Sequence, residues 1–147
     1  MSYVVPPDLL AKAWVLFHQT SAMVYRAFSK RVRTAGVSLE QTRVLFVVSR
    51  ASSPLTRTEI SRIVVRRPHT ITALLQGMQR AGLIEKIKDD KNKKLVRVVM
   101  TQKGKKALKQ VLQSQLAMEL TSSLSSEELY QLIGIMEKLR DAAVRES

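Results

Sequence analysis

Two short helical patterns followed by two strand patterns constrain the fold of this chain most strongly. Arg57 to about Val64 is typical of a short helix, and Pro68 stands in the first turn of the next one. That second helix carries an apolar stripe at helical spacing: Ile71, Leu74, Leu75 and Met78. Strand patterns at 84–88 and 95–100 enclose a polar, basic loop. Helix, tight turn, helix and hairpin together predict a winged helix-turn-helix.

Further helices flank this unit. An apolar-periodic stretch predicts a long helix to about Thr34, closed by Gly36, and Ser38 begins a second helix. Helices that begin near Gly104 and Ser125 follow the hairpin, the first reaching Leu120. The expected class is mainly α (α+β). We expect a single domain over residues 1–147, with the winged helix-turn-helix lobe at 38–104 and the dimerisation helices at 7–35 and 105–145.

Charge is concentrated on the same unit. The segment from Arg57 to Lys109 holds 15 of the 25 Lys and Arg residues and four of the 12 acidic ones, a net charge of +11 against +13 for the whole chain. Such a balance favours a polyanionic partner, either a nucleic acid or an anionic membrane surface. The longest apolar run covers only residues 44–48, so we expect no membrane-spanning helix.

Several function classes are not expected from this sequence. There is no cysteine, which excludes disulfides and thiol chemistry, and the N-terminus lacks a secretory signal, so we expect a cytoplasmic protein. The two histidines, His18 and His69, lack metal-site spacing, so we expect neither a metal nor another cofactor. The sequence also contains neither a glycine-rich phosphate-binding motif nor a catalytic-triad motif, so we do not expect an enzyme.

The second helix of the pair presents a polar face opposite its apolar stripe. Thr and Gln side chains can exchange hydrogen bonds with base edges, and a small alanine permits close approach to a major groove. Arginines at the helix entry oppose the helix dipole, and a bound phosphate would reverse that effect. The predicted contacts are Arg66, Arg67, Pro68, His69, Thr70, Thr72, Ala73 and Gln76. The alternative is an ordinary solvated helix face.

The loop between the strands supplies a second basic surface. It could enter a minor groove or lie along phosphates, and the alternative is a solubilising charge cluster. We expect Asp89 and Asp90 to pair with neighbouring lysines and fix the turn. The predicted wing contacts are Lys88, Lys91, Asn92, Lys93, Lys94 and Arg97.

The stretch from Leu55 to Gly104, with "GLIEK" after the second helix and a closing "MTQKG", resembles the MarR family of bacterial transcription regulators. The resemblance implies a homodimer that binds a pseudo-palindromic operator on double-stranded DNA, as a repressor. One departure concerns the wing, where members usually carry Asp-Arg-Arg and this chain has Asn92-Lys93-Lys94. Asn92 cannot make the ion pair of that Asp, and Lys lacks the planar fork of Arg.

The resemblance also implies a small-molecule effector. Such regulators often bind small anionic aromatic molecules between the dimer helices and the DNA-binding lobe. By that resemblance the pocket candidates are Trp14, Phe17, His18 and Phe46. The alternative for the aromatic side chains is core or dimer packing.

The flanking helices and the charge of the C-terminal segment indicate which partners the chain would bind. The flanking helices carry broad apolar stripes that a monomer would leave exposed, which predicts a dimer. Residues 110–147 have a net charge of −3 and are not expected to contact DNA. The rival to a DNA regulator is a winged-helix module that uses its basic face for protein or membrane-surface contact.

Overall fold

A computed structural model of the protein describes residues 6–114, 119 and 122–145. These residues group into two compact units, one up to Val111 and one from Leu112 onward. The elements of the first are α1 (Pro7–Val32), α2 (Leu39–Arg50), β1 (Leu55–Thr56), α3 (Arg57–Ile63), α4 (Pro68–Arg80), β2 (Ile84–Lys88), β3 (Val96–Met100) and α5 (Gln102–Leu112). The second contains α6 (Ser126–Arg145). The predicted mainly α winged-helix class is confirmed.

Three helices begin with the same reciprocal cap. Ser38 accepts a hydrogen bond from the Gln41 amide N–H at 3.1 Å, and the Gln41 side chain accepts from the Ser38 amide N–H at 2.8 Å. Thr56 and Glu59 form the equivalent box before α3, and Ser125 and Glu128 form it before α6. Each box satisfies amide groups that a helix N-terminus would otherwise leave unpaired. These local signals therefore fix where three of the helices begin.

The first helix ends slightly earlier than expected. The α-helical part stops at Val32 instead of near Thr34, and a 3-10 turn covers Arg33–Ala35. Gly36 follows with φ of +72°, the left-handed conformation that a glycine adopts without steric cost. The prediction that Gly36 closes this helix is confirmed.

The sheet has one strand more than the hairpin pattern predicts. Its order is β1-β3-β2, and β2 and β3 pair antiparallel with Ile84 opposite Met100 and Lys88 opposite Val96. The additional strand β1 is only two residues long and places Leu55 opposite Val98. It ties the start of α3 to the base of the wing.

The core of the first unit joins all its helices to the sheet. The apolar stripe of α4 is confirmed, with Ile71, Leu75 and Met78 buried and Leu74 packed against them. The remaining buried apolar residues are Val32, Val37, Val44, Leu45, Ile60, Leu83, Ile84, Val98, Ala107, Leu108 and Val111. Because α4 is held from within by this core, its opposite face is fixed relative to the wing.

Gly104 allows α5 to approach the sheet closely. A Cβ atom at this position would lie 2.2 Å from the carbonyl oxygen of Leu83 and 2.8 Å from the Met100 Cγ atom. Thr101 donates a hydrogen bond to the Gly82 carbonyl at 2.6 Å and accepts one from the Gly104 amide at 3.1 Å. The Thr-x-x-Gly sequence therefore fastens α5 to the end of α4. Leu116 and Leu120, expected on this helix, lie outside the described residues.

Candidate nucleic-acid interface

The α3–α4 turn sets the position of α4. Buried Ser61 donates through its hydroxyl to the Arg66 carbonyl at 2.6 Å, and its own carbonyl accepts from the Arg66 amide at 3.1 Å. Between them Val65 has φ of +52°, a left-handed conformation that is costly for a β-branched residue. The tight turn predicted from the sequence is thus made partly by a strained residue.

The polar face of α4 is open to solvent. Pro68 occupies the first turn, and Arg67 precedes it in an extended conformation without a side-chain cap. Because the buried stripe turns inward, the predicted base-reading residues project away from the core. His69, Thr70, Ala73 and Gln76 are exposed, and Thr72 is half-buried. This face is mostly uncharged.

Arg66 is held by a carboxylate of the protein itself. Its Nη2 and Nε atoms donate to the two oxygens of Glu40 on α2, at 3.1 and 3.3 Å. The same carboxylate accepts from Arg43 at 3.2 Å. Arg66 lies beside the entry to α4 as predicted, but any phosphate must compete with Glu40 for its guanidinium.

The wing turn is built by Asp89. Its Oδ1 atom accepts from the amides of Lys91 at 2.9 Å and Asn92 at 2.7 Å. Asn92 in turn accepts from the Lys94 amide at 3.1 Å, so its side chain shapes the turn. The exposed cations around this turn are Lys88, Lys91, Lys93 and Lys94.

Arg97 occupies the base of the wing and contacts three parts of the lobe. Its Nε atom donates to Asp89, its Nη1 atom donates to the Pro54 carbonyl at 2.8 Å, and Glu59 lies 3.7 Å away. Asp89 therefore pairs with Arg97, and the expectation that it pairs with a lysine was wrong, whereas Asp90 lies 3.8 Å from Lys93 as expected. The guanidinium of Arg97 is used inside the lobe.

These contacts shift several pKa values in a consistent direction. The hydrogen bond from Arg97, together with the amide of Asn92, lowers the pKa of Asp89. The hydrogen bond to Asp89 in turn raises the pKa of Arg97. The amide and hydroxyl of Thr56 lower the pKa of Glu59, with a further contribution from Arg97. The carboxylates at the base of the wing are thus stabilised in their charged form at neutral pH.

Two cations near α4, Arg57 and Lys86, were not among the DNA contacts predicted from the sequence. Arg57, the first residue of α3, donates from Nη1 to the Thr72 hydroxyl at 2.8 Å. Arg57, Lys86 and Lys94 line a cleft of about 330 Å³ between α4 and the wing, together with Thr72 and Val96. Because Arg57 and Thr72 are 15 positions apart, helical periodicity does not relate them, and only the folded turn brings them together.

The structure divides the four pocket candidates into two places. Trp14, Phe17 and His18 form one ring cluster on α1, with centroids 4.7 to 5.9 Å apart. Phe46 lies on α2, where the Arg50 guanidinium sits 5.6 Å from its ring. Phe46 lines a groove of about 460 Å³ with Ser52, Ser53, Leu55 and Ile63 among others, and the α1 cluster does not line it.

The described part of the chain offers neither a cluster of metal ligands nor a membrane-spanning helix. Residues 6–114, 119 and 122–145 contain no group of three or more His, Asp or Glu side chains that could hold a metal ion. Within the same residues, none of the helices combines the length and hydropathy that crossing a membrane requires.

A tight turn, a buried-stripe helix with an open polar face and a basic three-stranded wing define a winged helix-turn-helix protein. The sequence model of the MarR family matches residues 35–95, which confirms the resemblance noted from the sequence. The match runs from the end of the 3-10 turn to the wing, and over this segment the chain is similar to the MarR family. Its similarity to individual proteins is distant but extends over most of its length.

Among curated proteins, the chain is similar to an uncharacterized HTH-type transcriptional regulator, YcgE of Bacillus subtilis (strain 168). The two are 25% identical over 129 residues, which span 86% of this chain and 77% of that protein. A mutant MarR from E. coli complexed with operator DNA superposes with a TM-score of 0.73 at 19% identity, over 92% of this chain and 99% of that one. The 2,4-dichlorophenol-bound form of the organohalide-sensing regulator RdhR-CbdbA1625 gives 0.73 at 24% identity, over 97% and 88%. At these identities the two structures establish the fold.

Proposed function

We propose that the chain is a sequence-specific double-stranded DNA-binding transcription regulator, with residues 38–104 as its DNA-binding lobe. The observation that carries the proposal is the polar face of α4, which is open, mostly uncharged and flanked by cations. Uncharged side chains such as Gln76 can distinguish base edges, whereas Arg67 and the wing lysines supply attraction that is independent of sequence. The similarity to a regulator solved with operator DNA supports the same reading.

The regulator is proposed to act as a homodimer on a pseudo-palindromic operator. Both α1 and α6 expose apolar side chains: Leu9, Leu10, Trp14, Val15, Leu16, Phe17, Met23, Tyr25, Tyr130, Leu132, Ile133, Ile135, Met136, Leu139 and Val144. Water-exposed apolar surface of this kind marks a site of association. We therefore assign 7–35 and 105–145 to dimerisation, and a two-fold protein dimer would read two half-sites.

Repression with release by a small aromatic or anionic ligand completes the proposal. The similar regulator bound to 2,4-dichlorophenol supports an effector of this chemistry. In this chain the Trp14 ring cluster offers aromatic surface, and the Phe46 groove combines an apolar wall with the cation of Arg50.

Addition of a chlorophenol or salicylate probe to the protein–DNA complex should lower its DNA affinity. Affinity unchanged at millimolar probe would remove ligand release from the proposal.

Footprinting on the DNA upstream of the gene for this chain tests the function. We expect a protected, approximately two-fold symmetric site at moderate salt, and a reporter downstream of that site should be less active when the protein is present. Binding that is equally strong on every duplex, or on anionic vesicles alone, would instead support the rival reading of a basic interaction module. A site whose occupation raises reporter activity would contradict repression only.

A further inference from the structure

The hydroxyl of Thr72 is committed to the protein. Its Oγ1 atom donates to the Pro68 carbonyl one turn earlier at 2.9 Å and accepts from the Arg57 Nη1 atom at 2.8 Å. A threonine hydroxyl has one donor and two acceptor lone pairs, so its only donor and one lone pair are used. Thr72 therefore has no hydrogen to offer to the acceptor atoms of a base.

Arg57 also selects the rotamer of Thr72. Helical threonines divide between two χ1 rotamers, because the hydroxyl can bond back to the preceding turn in one of them. The hydrogen bond from Arg57 and the bond to Pro68 both use the hydroxyl in the same position, so the two contacts reinforce one rotamer. The Cγ2 methyl group is thereby held in one orientation. It is the part of the side chain that has no hydrogen-bonding role.

We infer that Thr72 reads DNA through its methyl group, with a preference for thymine, and that Arg57 is the positioning residue that fixes this mode of reading. The inference rests on the proposed DNA-binding function and names the specificity of one position on α4. The C5-methyl of thymine is the apolar feature of the major groove that a side-chain methyl can contact. Arg57 and Lys94 line the same cleft beside Thr72, which places this position next to cations that attract phosphate.

Selection from a pool of randomised duplexes with the full-length protein tests the inference. Thr72→Val removes the hydroxyl and keeps a methyl group, and valine in a helix strongly prefers one χ1 rotamer without help from Arg57, so this variant should select the wild-type sequence. Thr72→Ser keeps the hydroxyl and removes the methyl, so one thymine in each half-site should lose about fourfold in preference, the factor worth one buried methyl group. Thermal melting of each variant verifies folding.

Arg57→Ala should weaken the preference for the same thymine that Thr72→Ser affects. In the double variant the loss should not exceed that of Thr72→Ser alone, because both changes remove one interaction. Arg62→Ala, an exposed arginine at the other end of α3, is the matched control. It should lower affinity for all duplexes alike and leave the base preference unchanged.

Two outcomes would overturn the inference without touching the proposed function. A wild-type selection that converges on a sequence, with loss of preference in Thr72→Val and not in Thr72→Ser, would show reading by the hydroxyl. Equal base preference for Arg57→Ala and Arg62→Ala would show that Arg57 contributes charge alone. A wild-type selection that enriches no sequence would instead contradict the proposed function itself.

Discussion

Arg66, one of the proposed DNA contacts, already has a partner within the protein. Glu40 binds its guanidinium through two hydrogen bonds, and both side chains are partly exposed, at 41% and 31%. An exposed pair of this kind contributes at most about 1 kcal/mol. If Arg66 contacts DNA as proposed, a phosphate would therefore displace Glu40, and the cost of that displacement would reduce the affinity for DNA.

Glu40→Gln should raise the affinity for DNA by up to about fivefold, because it releases Arg66 from this competition. Fluorescence anisotropy with one duplex at fixed salt measures the change. Glu85→Gln removes the same charge from an exposed position on β2 and is the control. The gain should vanish in an Arg66→Ala background, and a gain of equal size there would mean that Arg66 is not involved.

Val65 has an unfavourable, left-handed backbone conformation. Asn tolerates the left-handed region better than valine, so Val65→Asn should stabilise the protein by about 1 kcal/mol. The side chain is 60% exposed, so little packing is lost. Urea unfolding measures the change, with Ile63→Asn, at 53% exposure, as the control that should bring no gain. A loss of stability in Val65→Asn would show that the valine side chain has a packing role.

The pair of Asp89 and Arg97 gives the wing a defined pH dependence. The pKa of Asp89 is lowered below 3.8 in the folded protein, chiefly by Arg97, so its contribution to stability is present above pH 3.8. That contribution is lost as the pH falls through the lowered value. Asp89→Asn should therefore reduce the melting temperature at pH 7, and the difference from wild type should shrink as the pH falls below 3.8.

Asp90→Asn is the control for this experiment, because Asp90 is fully exposed and lies 3.8 Å from Lys93. It should change the melting temperature little at either pH. An Asp89→Asn variant as stable as wild type at pH 7 would contradict the stabilising role of the Asp89–Arg97 pair at the base of the wing.

At the scale of elements, α5 can approach the sheet closely because residue 104 is a glycine and has no side chain. Gly104→Ala should destabilise the protein by about 3 kcal/mol, because the new Cβ would overlap a backbone oxygen that cannot move independently. Gly77→Ala in the middle of α4 is the matched control, since a Cβ there meets no atom of the described residues within 4 Å. It should stabilise by about 0.5–1 kcal/mol. Equal effects in urea unfolding would contradict the close approach of α5.

The element scale also shows how far the sequence alone could go. The helix starts expected at Ser38, Arg57 and Ser125 and the apolar stripe on α4 rest on local signals, and the structure confirms them. The strand β1 was missed, since two residues carry no alternation. The contact of Arg97 with Pro54 was missed because the two residues are 43 positions apart, and a contact of that separation leaves no periodic pattern in the sequence.

At the scale of the whole molecule, the proposed binding to two half-sites requires two copies of the chain. The apolar surfaces of α1 and α6 should be covered in the dimer, so sedimentation equilibrium at micromolar concentration should give twice the 16.6 kDa chain mass. Ile133→Glu places a charge on the exposed apolar surface of α6 and should shift the protein toward monomers with weaker DNA binding. Glu137→Ala on the same helix should remain dimeric. A monomeric wild-type protein would contradict the proposed half-site arrangement.

The basic winged-helix lobe is proposed to recognise a DNA sequence, and the ratio of two affinities tests this recognition most directly. The full-length protein should bind the duplex recovered by footprinting or selection at least ~10³-fold more tightly than a random duplex of equal length. The logarithm of both binding constants should fall steeply with the logarithm of salt concentration, as for a protein that contacts several phosphates. Equal affinities for the two duplexes at physiological salt would contradict the claim.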